Sequence, residues 1–240
     1  MTGKGDGVQH PRRFYRAVTV TAVDQGHAVL LDGRSPKAPG GTPLVLPTAA
    51  LAGLTAAEWD AQDPHIIMLS MPAVRLAWTA LEKIADAREA VADEIMRYAG
   101  SDLLCYRAEG PTELVAQQAA GWDPLLAWAG EALDVRLVPT TGVIHRDQPA
   151  ASLPRVRALA LALDDFTLAG LAHATALLGS AVLALALQSG RLDGRQAHDL
   201  ARLDEAWQER LWGIDAEAAL RTEGRLAETV LLERWFGALR

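Results

Sequence analysis

One stretch restricts the folds open to this chain more than any other. Residues 164–190 read DDFTLAGLAHATALLGSAVLALALQSG, and between Phe166 and Leu187 no side chain carries a formal charge. His173 is the only strongly polar residue inside it. A single helix of that length is roughly 30 Å long, enough to cross a bilayer or to form the buried axis of a helical domain. Composition favours the axis. Half the residues are hydrophobic and 22% are charged, an ordinary balance for a soluble protein. The stretch leans on Ala, Gly and Ser as much as on Leu, and Gly170 with Ala174 or Thr175 with Gly179 would let other helices come close. No second span exists, and neither flank carries the Lys/Arg cluster that orients membrane proteins. The reading is an internal post, with a membrane-anchored factor as the alternative.

The N-terminal part has a different character. After a Gly-rich tail to residue 11, Phe14 to Val23 contains Val18, Thr19, Val20, Thr21 and Val23, a β-branched run suited to a strand. Asp24-Gln25-Gly26 predicts a turn, His27 to Leu31 a second strand, and Asp32-Gly33 a hairpin. A Pro/Gly loop leads to Leu44-Val45-Leu46, a candidate third strand. Thr48 is a suitable N-cap for a helix to about Gln62, with Leu51, Leu54, Glu58 and Trp59 near one face.

Pro72 then suits a first helical turn, and the segment to about Tyr98 is rich in Ala, Glu, Arg and Leu. Thr112 can cap a further helix. Asp123-Pro124 reads as an N-cap followed by proline, which predicts a new or kinked helix there. Val135 to Ile144 predicts an extended crossover, and Pro154 opens a helix into the apolar stretch. Arg195 to Trp212 predicts one helix with Leu200, Leu203, Trp207 and Leu211 on one face, packed against the post. Asp215 can cap the last helix. The fold class is therefore α+β: a β-rich N-terminal domain with one helix over 1–71 and a mainly helical domain over 72–240.

Catalytic signals are weak. No GxSxG exists, because Gly179-Ser180 lies within the apolar stretch; Ser180 with His173 is the one conceivable hydrolase-like dyad. The six His lack HxxxH or HExxH spacing, so no metal or cofactor site is expected. Cys105 stands alone in an apolar run and reads as a buried small hydrophobe. The net charge of −7 argues against nucleic acid as a partner. The N-terminus lacks an apolar signal segment, which points to the cytoplasm. What remains is a charged ridge, His198, Arg202, Glu205 and Glu209, on the face opposite the leucines. It is either a solvated face with i,i+3 and i,i+4 pairing or a partner-binding surface.

An ordered set of motifs gives direction to that ridge: RFYRAVTV (12–20), LLDGR (30–34), PLVLPT (43–48), Glu58-Trp59, SDLLCYRA (101–108), WDPLLAWA (122–129) and LDEAWQERLWGIDAEAALR (203–221). Together they resemble the ATP12 family, assembly chaperones of the F1 sector of ATP synthase, from about residue 12 to residue 236. The resemblance implies a protein without catalytic activity that binds the unassembled F1 α subunit and shields its interface until the β subunit takes its place. It also implies a small β-containing domain followed by a helical one. An acidic residue before an aromatic-Gln pair is tied to function in the family. It maps onto Glu205, with Asp204 as the lesser match. Partner binding is thus expected at Glu205, Arg202, Glu209 and His198.

Overall fold

The computed structural model describes residues 10–240, which divide into two compact units at residues 78 and 79. The expected tail falls mostly outside the described residues. The fold is α+β, with a small sheet near the N-terminus and a mainly helical remainder.

In the first unit, β1 (Val18–Val23) and β2 (Gly26–Leu31) pair antiparallel from Val18 opposite Leu31 to Val23 opposite Gly26, and β3 (Val45–Leu46) pairs with the other edge of β2. Asp32 and Gly33 both take positive φ, +46° and +80°, and Leu31 and Arg34 exchange backbone hydrogen bonds across them. This is the two-residue hairpin that Asp-Gly predicts, because only such residues tolerate φ above zero twice in succession. The Asp32 carboxylate accepts from the Arg16 and Ala17 amides, which holds it below the usual carboxylate range. Helix α1 (Ala49–Asp60) starts at Thr48, whose hydroxyl accepts from the Leu51 amide. It buries Leu51, Leu54 and Trp59. Glu58 reaches out of α1 to the next helix. Its two carboxylate oxygens accept from the Ala73 and Val74 amides, 2.8 Å each, at the start of α2 (Pro72–Thr79). A negative charge on free amides at a helix start is favourable.

The second unit opens with a π turn (Ala80–Ile84) leading into α3 (Ala85–Gly100). After Cys105, β4 (Tyr106–Arg107) pairs in parallel with β5 (Thr140–Thr141), inside the segment expected to be extended. Between them α4 (Thr112–Ala132) runs without interruption through Pro124. Of the new or kinked helix expected at Asp123-Pro124, the new start is corrected. Proline removes one backbone bond, but Trp122 and Leu125 are both buried beside it, and their packing holds the helix together. Thr112 is the first helical residue and not the cap. Helix α5 (Ser152–Leu161) packs on α3, and Arg88 clasps the turn that follows it, donating to the Leu161 and Leu163 carbonyls and to Asp165.

The apolar stretch is two helices where the sequence predicts one. Helix α6 (Asp165–Leu178) stops at Gly179, which takes φ +68°, and α7 (Ala181–Ser189) restarts at once from Ser180. Gly179 is the left-handed residue that ends a helix, and Ser180 is an N-cap whose hydroxyl accepts from the Leu183 amide. Neither half could cross a bilayer: among the described residues no helix is long and apolar enough to do so. Ala181 to Leu187 are all buried. Helix α6 packs on α3, α7 and α10 (Ala216–Leu239), so the pair does form an internal axis.

Beneath the start of α7 lies Asp102, fully buried. It accepts from the Ser180 hydroxyl (2.6 Å) and from the Val182 and Leu104 amides (3.1 Å each). Burial pushes its carboxyl up to about 6, against the pull of these donors. The neighbouring Cys105 thiol is buried as expected and is pushed up to about 12, by burial first and the Asp102 charge second.

Candidate partner-binding surface

The ridge read from the sequence lies on two helices. Helix α8 (Gly194–Ala201) begins with a capping box, in which the Asp193 carboxylate accepts from the Gln196 amide and the Gln196 side chain accepts from the Asp193 amide. It packs on α10 and α7. A Cβ on Gly194 would stand 2.6 Å from the Val230 Cα, so glycine is what lets the two helices meet. At Arg202 the backbone leaves helical geometry (φ −112°, ψ 17°), and α9 (Leu203–Trp212) starts afresh.

That break overturns the common face assigned to the four ridge residues. His198 does not face outward; it is buried on α8, with Nδ1 3.2 Å from the Asp199 carboxylate. A face angle drawn on one continuous helix loses its phase across Arg202. Arg202 and Glu209 form an ion pair with each other, and both side chains are largely covered, at 12% and 28% exposure. Glu205 alone is exposed, and among the described residues its carboxylate has no ion-pair or hydrogen-bond partner. Its neighbour Asp204 is engaged: it accepts from Gln118 Nε2 at 2.7 Å, and the buried Gln118 in turn accepts from the Ala108 amide. Asp204 therefore helps to seat α9 on α4, while Glu205 is free to meet something else.

The expected packing of α9 also needs correction. Leu200 and Leu203 lie against Gly121, where a Cβ would meet them at 2.8 and 3.5 Å; α9 packs chiefly on α4, and the part of the expected face that packs on the central axis is α8, which carries Leu200. The Trp122 indole donates to the Leu200 carbonyl, and Arg210 donates to Gln117 while its guanidinium lies 5.0 Å from the Trp207 ring. Leu203, Ala206, Glu209 and Arg210 line a cleft of about 430 Å³ against Gln117. Leu211, placed on the buried face by periodicity, is 59% exposed, and Trp212 is 78% exposed. Gly213 was the available sign that the helix ends there; nothing in the local sequence marked the doublet before it as exposed.

The conceivable hydrolase dyad does not form. Ser180 is fully buried and donates to Asp102, whereas His173 lies on the exposed side of α6, 3.4 Å from Glu228 of α10. The geometry gives Ser180 no histidine base.

The architecture is that of an α+β protein with an exposed acid, Glu205, unpaired among the described residues, on a helix that buries none of its residues. Sequence and structural relatives narrow the class. The profile of the family described as ATP12 chaperone protein matches residues 12–130. The crystal structure of Atp12 from Paracoccus denitrificans is 43% identical, covers 96% of this chain and 99% of its own, and superposes with a TM-score of 0.88. An aspartate-to-lysine mutant of the same Paracoccus protein gives 43%, 96%, 98% and 0.88. A protein from Agrobacterium tumefaciens described as a candidate chaperone gives 42%, 96%, 87% and 0.90. The chain belongs to the ATP12 family of chaperones.

Proposed function

We propose that the protein is an assembly chaperone for the F1 sector of ATP synthase, acting in the cytoplasm without catalysis. It holds the unassembled α subunit and shields its interface until β replaces it. Family membership supports the class, and the state of Glu205 carries the site: an exposed carboxylate without a cation, on a helix none of whose residues is buried. A free α subunit exposes apolar surface made for a neighbouring subunit, which invites aggregation. Binding the folded surface lowers that population by mass action. Release requires only that β bind more tightly.

Of the four residues expected to touch the partner, the reading now gives the contact to Glu205. Arg202 and Glu209 brace the helix through their own ion pair, and His198 is buried on α8. An exposed acid contributes specificity and association rate more than affinity. Capture of the purified F1 α subunit should fall by roughly tenfold or more in Glu205→Lys, since a like charge facing a cation is repulsive. The same variant should keep the wild-type unfolding midpoint. Undiminished capture by a folded Glu205→Lys protein would remove Glu205 from the site.

A further inference from the structure

Between Arg202 and Glu228 no residue is buried, although α9 and the first half of α10 are both helical. Helix α10 buries Thr229, Leu232, Trp235 and Phe236, all in its second half. Helices this short owe most of their stability to packing, so a helical arm without a buried residue is unusual. Its turn is the most apolar part: Leu211, Trp212, Ile214 and Leu220 are 59%, 78%, 47% and 68% exposed. Isolated exposed leucines need no explanation, but Leu211, Trp212 and Ile214, three large exposed apolar side chains within four residues around Gly213, with Leu220 six residues further on, mark a contact surface.

The charges on the arm say what kind of surface covers it. Each arginine is engaged within the chain: Arg202 with Glu209, Arg210 with Gln117, Arg221 with Glu217, and Arg225 with the Leu177 carbonyl. Glu205 and Glu223 have no such partner among the described residues, and Asp215 accepts only from the Ala218 amide. Gln117 and the Leu177 carbonyl are neutral, so Arg210 and Arg225 keep their charge, but seven acids against four arginines still leave residues 202–228 with a net charge of −3.

We propose that this turn, with Trp212 at its centre, is an apolar plug that enters a groove rimmed by basic side chains on a folded protein subunit. The occupant we assign is the F1 α subunit, so the inference rests on the function proposed above. It adds a site of different chemistry, separated along α9 from Glu205. Tryptophan is enriched among binding hot spots, which sit in desolvated pockets, and the acids around it supply the polar rim.

The test uses the full chain and purified α subunit. Trp212→Ala should weaken capture by roughly thirtyfold, and Glu223→Lys by several-fold. Phe14→Ala removes an equally exposed aromatic (75%) from the first unit and should leave capture unchanged. Trp212 is not part of a core, so its variant should unfold at the wild-type midpoint. On binding, amides of residues 205–225 should gain protection from hydrogen exchange. No capture by the wild-type protein would defeat the function itself and this inference with it. Full capture by Trp212→Ala would defeat the plug alone. A wild-type dimer lost in Trp212→Ala, with α capture intact, would assign the turn to a second copy of this chain and overturn the inference.

Discussion

At the scale of single residues, Asp102 shows how much one buried carboxyl can organise. It closes the Leu103–Cys105 turn and the start of α7 together, through the Leu104 and Val182 amides and the Ser180 hydroxyl. Asp102→Ala would strand those donors in a dry site, which costs about 1–3 kcal/mol for each that finds no water. The pH dependence has a definite sign. The folded carboxyl titrates near 6 and the ordinary value is 3.8. Between those limits the folded state keeps a proton that the unfolded chain has released, so this group's contribution falls as pH rises through the window. The destabilisation by Asp102→Ala, measured by urea unfolding, should therefore be larger at pH 4 than at pH 7. A difference that grows with pH would mean that the donors outweigh burial at this site.

At the scale of elements, the sequence was clearest where local chemistry and packing agree. Asp32-Gly33, Thr48 and Asp215 are where they were expected because turns and caps use only neighbouring backbone. Pro124 starts no new helix, and Arg202 ends one that the sequence carried through it. The proline lacks an amide, yet the burial of Trp122 carries α4 through it; Arg202 has no breaking chemistry of its own, yet the chain stops a helix there. Glycines on α8 and α10 make the same contrast testable. Gly194→Ala would push a methyl into the α10 backbone, where neither side can yield, and should lower the unfolding free energy by about 1–3 kcal/mol at unchanged denaturant slope. Gly224→Ala meets nothing within 4 Å and should add up to about 1 kcal/mol of local helix stability. That gain should appear as slower amide exchange in the first half of α10 with little change in the global midpoint.

At the scale of the molecule and its partner, the unpaired acids of the arm should make association depend on salt. Screening shortens from about 10 Å at 0.1 M to about 3 Å at 1 M. Raising NaCl from about 0.05 to 0.5 M should slow association with the α subunit on the order of tenfold while changing dissociation less. A salt-independent rate would take the charge out of the docking step.

The sequence by itself determined the fold class, the hairpin, most helix starts, the apolar axis and the family. These depend on residue type, on short-range period and on ordered motifs, which are all visible in one dimension. Which acid is free was decided only by tertiary structure. Asp204 and Glu205 are adjacent and chemically alike, but Gln118 reaches across from α4 to take one of them. His198 was lost from the ridge and Trp212 gained beside it for a related reason. Orientation along a helix can be extrapolated only as far as the helix continues, and the break at Arg202 is set by how α8 packs on α10 and α9 on α4.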